Sequence, residues 1–214
     1  MKTILAYGDS LTFGYSPEGN GIRHAYEDRW PSVLESGLGG AARVIAEGLN
    51  GRTTAFDDHT AAADRNGARV LPTLLDTHQP LDLVIIMLGA NDIKTFITGS
   101  AFAAAAGMKR LAEIVRTHPY SHGAVPQVLL VAPPQTVPSP LNGPPALVSP
   151  RTGDDKLFGF YYERAANEIG ARFFDASTVA KADPRDGVHL DAANTRAIGE
   201  ALVPLVKSML GLSA

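Results

Sequence analysis

The chain has 214 residues, of which 45% are hydrophobic and 19% charged, with a formal net charge of −3. That length suits one domain able to bury its own core, and the charge leaves no basic footprint for nucleic acid or an anionic membrane. There is no cysteine, which excludes disulfide frameworks, thiolate catalysis, Cys–zinc sites and iron–sulfur clusters.

A first strand is expected at 3–7, an apolar run that stops at Gly8-Asp9. The run is too short for a secretory leader, and no stretch is long enough to span a bilayer, so a cytoplasmic protein without membrane partners is expected. Trp30, Val33, Leu34 and Leu38 follow helical spacing, with Pro31 tolerated in a first turn. A second strand follows at 43–46. A third, at 83–88, is apolar without alternation, as in a parallel strand covered on both faces.

Ala104, Met108, Leu111 and Val115 form the apolar stripe of a helix that Ser100 could cap. The fourth strand is expected at 128–131. From 132 to 153 the chain carries seven of its 15 prolines, an excursion expected to help form a pocket rim and an oligomer contact. Phe158, Tyr161, Tyr162, Ala165 and Ile169 mark another helix, followed by a strand at 172–174. In the last helix Ile198, Leu202, Leu205 and Met209 form the stripe and Asp191 is the expected N-cap. Pro204 is expected to kink that helix or end its first part. Alternating strands and helices predict an α/β fold, a single domain over 1–214. Its form is a three-layer, flavodoxin-like, doubly wound parallel sheet of five strands with helices on both faces.

Four short motifs each follow a different strand, at the carboxyl edge where open α/β sheets bind ligands. Gly8-Asp9-Ser10-Leu11 places a serine just beyond the first strand. Gly48-Leu49-Asn50-Gly51-Arg52 follows the second, and Gly51 would let backbone N–H approach a ligand. In Gly89-Ala90-Asn91-Asp92 the Asn91 amide could donate to a developing oxyanion. Asp186-Gly187-Val188-His189 supplies a base for a weak serine nucleophile and an acidic partner to orient it. Taken singly each is a weak or moderate signal, and for Gly-Asp-Ser and for Asn91 ordinary turn or capping chemistry is the better reading. Their joint order is the signal.

That set resembles the SGNH, or GDSL, family of serine esterases, whose four blocks match Ser10, Gly51, Asn91 and His189. Longer strings at 8–15, 47–54 and 81–92 are similar to a subgroup of oligomeric arylesterases that also transfer acyl groups and perhydrolyse. Ala90 stands where the family often has Thr, and Phe13 and Tyr15 stand where the strongest acyltransferases carry tryptophan. The resemblance implies hydrolysis of short acyl esters, without cofactor or metal. Ser10, His189 and Asp186 would be catalytic, and the backbone N–H groups of Ser10 and Gly51 with the Asn91 side chain would form the oxyanion hole. It also implies a small-molecule ester substrate and a homo-oligomer. Phe13 and Tyr15, with Trp30 shortly after, are expected to wall the acyl pocket. Acyl transfer or perhydrolysis on the same site, or carbohydrate deacetylation, are the alternatives. A non-catalytic ligand-binding module and a metal phosphoesterase built on Asp9, Asp92 and Asp186 fit less well.

Competing motifs fail. Gly-x-Ser-x-Gly is absent around Ser10, and there is no P-loop or His-Glu-x-x-His. The glycine-rich run 37–42 follows a helix and precedes a strand, the wrong context for a dinucleotide site. His118 and His122 have metal-ligand spacing, but Pro119 and Gly123 make that stretch a loop, and His24, His59 and His78 receive no role.

Overall fold

The computed structural model describes residues 1–140 and 153–213. Five strands, β1 (Lys2–Gly8), β2 (Ala42–Gly48), β3 (Leu83–Met87), β4 (Gln127–Ala132) and β5 (Arg172–Asp175), form one sheet in the order β2-β1-β3-β4-β5. Every pairing is parallel. The order reverses beside β1, so the switch point of the doubly wound sheet lies at the carboxyl ends of β1 and β3.

The α-helices among the described residues are α1 (Ser10–Phe13), α2 (Trp30–Gly37), α3 (Gly67–His78), α4 (Ala101–Thr117), α5 (Phe158–Ile169) and α6 (Ala192–Leu210). Alternate side chains of each central strand feed two separate cores. Leu5, Tyr7, Val84 and Ile86 pack with α3, α4 and α5. Ile4, Ala6, Ile85 and Met87 pack with α2 and α6 on the other face. Both faces of β3 are therefore apolar, and all five of its residues are buried.

The two caps expected from sequence are present: Ser100 Oγ accepts from Ala103 N–H and Asp191 from Asn194 N–H. α3 was not expected. Asn66 caps it and Leu71 and Leu75 bury its inner face, but Pro72 interrupts the pattern. Pro204 does not end α6, which runs unbroken to Leu210. The residue lies on the exposed side, where water can satisfy the carbonyl of Glu200 that a proline N cannot. Of the expected excursion at 132–153, residues 141–152, with Leu141, Leu147 and Val148, lie outside the described residues. No helix among the described residues is long and apolar enough to cross a membrane.

Candidate active site

The site is built from the loops at the carboxyl edge of the sheet. As β1 ends, Asp9 caps the one-turn helix α1: its Oδ1 accepts from Leu11 N–H at 2.9 Å. Ser10 is the first residue of that helix, so no i−4 carbonyl of α1 can take its N–H. Gly14 closes the turn in the left-handed conformation, and its N–H returns to Ser10 O at 2.9 Å.

His189 arrives from the other end of the chain, in the loop before α6. α6 packs against α2, and Trp30 N–H donates to Thr195 Oγ1 at 3.2 Å. Within that loop Asp186 Oδ1 accepts from the N–H groups of Val188 (2.9 Å) and His189 (2.8 Å). Its Oδ2 lies 2.6 Å from His189 Nδ1, while His189 Nε2 lies 3.0 Å from Ser10 Oγ. Burial pushes the Asp186 carboxyl up, but the backbone donors of Val188 and His189 and the imidazole outweigh it and hold the group below its usual range. An ionised carboxylate only accepts, so Nδ1 carries the proton and Nε2 presents a lone pair to the serine hydroxyl.

A cleft of about 420 Å³ opens over these groups, lined among others by Ser10, Tyr15, Gly51, Asn91 and His189. Gly51 has φ +80°, a conformation that aims its backbone where an L side chain would be strained. Its N–H has no partner among the described residues. The Asn91 amide donates to Arg52 O at 3.1 Å and, through a longer contact of 3.3 Å, to Asp9 Oδ2.

Behind these groups lie two buried carboxyls. Asp9 is 1% exposed and Asp92 0%. Burial raises Asp9 to about 6, against the opposing pull of Leu11 N–H, His189, Lys94 and Arg52. Burial raises Asp92 to about 7 despite the Thr54 backbone N–H and hydroxyl that it accepts, and the neighbouring Asp9 adds to the rise.

The aromatic expectations divide. Tyr15 lines the cleft, its ring centroid 4.6 Å from that of His189. Phe13 does not line it. The Arg23 guanidinium lies 3.9 Å over its ring, because Arg23 Nε also bonds the Phe13 carbonyl. Trp30 is a core residue, fully buried, with its indole N–H on Thr12 Oγ1 at 3.3 Å. Two residues given no role by sequence reach the site. Lys94 lines the cleft. His24 Nε2 lies 2.8 Å from Leu190 O, and Gly14 O accepts from His24 N–H, so it ties the cap of α1 to the loop that carries His189. The sequence signal for Lys94 was its place three residues after Asn91 in one tight loop; His24 carried none. His118 pairs with Asp76 at 3.0 Å and packs edge-on against Tyr120. No group of three or more His, Asp or Glu suited to a metal ion occurs among the described residues.

The model of the GDSL-like lipase/acylhydrolase family matches residues 6–197. A carbohydrate acetylesterase family member from Sinorhizobium meliloti is 52% identical, with a TM-score of 0.94 over 99% of this chain and 100% of that one. A protein from Agrobacterium tumefaciens strain C58, proposed to be an arylesterase, is 53% identical with a TM-score of 0.93 over 98% and 100%. The aryl esterase of M. smegmatis is 39% identical with a TM-score of 0.92, again over 98% and 100%. No curated protein matches.

Proposed function

Since the chain belongs to the GDSL-like lipase/acylhydrolase family and is a carboxylic ester hydrolase, we propose that it works through a Ser10–His189–Asp186 triad and a covalent acyl-enzyme. The observation that carries this reading is the relay of contacts at 3.0 and 2.6 Å from Ser10 Oγ through the imidazole to Asp186. Ser10 Oγ attacks the acyl carbonyl as its proton passes to His189 Nε2, and Asp186 balances the imidazolium. Collapse of the tetrahedral intermediate breaks the bond to the alcohol, which leaves with that proton. Water, deprotonated by the same nitrogen, then attacks the acyl-enzyme and releases the acid and Ser10.

The negative oxygen of each intermediate is held by the Ser10 and Gly51 N–H groups and by Asn91 Nδ2. The long contact from Asn91 to Asp9 is the one such an oxygen would take over. Another alcohol or peroxide competing with water at the acyl-enzyme would give acyl transfer or perhydrolysis on the same site.

The acyl group in this reading is short, acetyl first. Tyr15 stands against His189, and each methylene that a close-packed wall cannot admit costs about 1–3 kcal/mol, more than the ~0.8 kcal/mol its burial returns. Acetylated saccharide and short-chain aryl ester remain two versions of this reading, the first favoured by a relative named a carbohydrate acetylesterase family member and the second by one named an aryl esterase. A panel of p-nitrophenyl esters from acetate to laurate, with acetylated xylose and a Ser10→Ala control, tests it. Hydrolysis confined to short acyl groups and lost in Ser10→Ala is expected; a rise toward laurate, or a fully active Ser10→Ala protein, overturns it. The reading includes one catalytic domain and association with further copies; a monomeric mass in light scattering would remove the latter.

A further inference from the structure

Resting on that reading of the cleft, we propose that the site selects esters carrying an anionic group near the scissile carbonyl, and that Lys94 is the residue that recognises it. Lys94 lines the same cleft as Ser10, Asn91 and His189. Its backbone is held on both sides: its N–H donates to Asn91 O at 3.3 Å, and its carbonyl accepts from the N–H groups of Ile97 (3.0 Å) and Gly99 (3.1 Å). The flexible stem therefore starts from a fixed turn, three residues beyond the amide assigned to the oxyanion. The ammonium makes no ion pair or hydrogen bond among the described residues, and it lies 5.9 Å from the centroid of the Phe96 ring.

The surrounding charges leave that ammonium available. Asp186 already accepts from the N–H groups of Val188 and His189 and lies 2.6 Å from His189 Nδ1. Asp9 lies buried beneath the cleft floor. The half-buried carboxylate Asp58 lies nearby and already accepts from Thr60 N–H at 2.9 Å and Thr60 Oγ1 at 2.5 Å, and it feels both Lys94 and Arg65. Arg65 stands behind the Gly51 turn, its Nε 3.3 Å from where a Cβ on Gly51 would sit, and its buried Nη1 has no partner. Lys94 and Arg65 thus both act on one already occupied carboxylate on the Gly51–Asn91 side, and Lys94 also feels the buried Asp9 without pairing with it. A lysine is a mobile point charge that suits a carboxylate, sulfate or phosphate without demanding one geometry. An uncharged ester offers that ammonium only neutral acceptor oxygens, whereas an anionic one supplies a charged partner that the described residues do not.

The anion could sit on the alcohol or on the acyl side, and two matched pairs separate these. One is 4-acetoxybenzoate against its methyl ester; the other is phenyl hydrogen succinate against phenyl methyl succinate. In one of the pairs the wild-type protein should favour the anionic member. Lys94→Met should lower the anionic-to-neutral ratio of kcat/KM about five- to tenfold, mainly through KM. Lys94→Glu should lower it further, Lys94→Arg should largely keep it, and added salt should shrink the wild-type preference. An unchanged ratio in both pairs on Lys94→Met overturns the proposal, as does an equal fall for charged and neutral members. Failure of the esterase reading itself looks different: wild-type protein would hydrolyse the neutral members no faster than Ser10→Ala.

Discussion

Gly48, at the end of β2, touches no reacting atom in the proposed mechanism, yet a single methyl there should disable the enzyme. Its backbone pairs with Gly8 and runs directly beneath α1. A Cβ on Gly48 would lie 2.2 Å from Phe13 N, 2.6 Å from Phe13 Cα and 2.7 Å from Thr12 C. Those are backbone atoms, so no side chain can swing away. For ordinary contact the 2.2 Å gap must open to at least 3.4 Å. Because α1 is one turn from Ser10 to Phe13, the displacement carries Ser10 with it. Overpacking of this kind costs about 1–3 kcal/mol, which for a chain of this size lowers Tm by about 2–12 °C. A misplacement of about 1 Å in a reacting group costs about 100-fold in rate. Gly48→Ala should therefore remain folded by circular dichroism, melt measurably lower, and lose about two orders of magnitude in kcat on p-nitrophenyl acetate. A variant with wild-type melting and kcat would show that the approach of β2 to α1 does not set the nucleophile's position.

Asn91→Ala should lower kcat by about 10²–10³ with the fold retained, since one oxyanion donor is removed; near-normal kcat in the folded variant would take Asn91 out of the mechanism. The buried Asp92 gives a pH signature. Its pKa is raised in the folded chain, so the folded state holds a proton that the unfolded chain gives up, and stability falls as pH rises from about 4 through about 7. Asp92→Asn removes that proton, so its stability relative to wild type in urea should improve by about 1–4 kcal/mol between pH 5 and pH 8; parallel pH profiles for the two proteins would refute the shift.

Much of this was readable from the chain because the controlling forces are local. β3 is five consecutive apolar residues because both its faces are roofed by helices, and that leaves an unmistakable run. The four motifs were legible because each sits where a strand must turn, and there glycine, asparagine and aspartate are informative. α3 was hidden by Pro72, although Asn66 as cap and the Leu71–Leu75 spacing were available as signals. Phe13 and Tyr15 could not be told apart from sequence. They lie two residues apart where α1 gives way to an irregular stretch, and which ring reaches the cleft depends on Arg23, ten residues after Phe13, capturing the other. Trp30 reads equally as pocket wall or core until α6 is seen packing over α2. Lys94 lies outside the four motifs, and beyond its place three residues after Asn91 its relevance comes from the cleft that distant loops assemble around it.

The central claim is that Ser10 forms the covalent bond, activated by His189. Intact-mass and peptide analysis after reaction with a fluorophosphonate tests it most directly. One adduct per chain on the peptide containing Ser10 is expected, absent in Ser10→Ala and much slower in His189→Ala. An adduct on any other residue, or labelling of Ser10 at the same rate without His189, would contradict it.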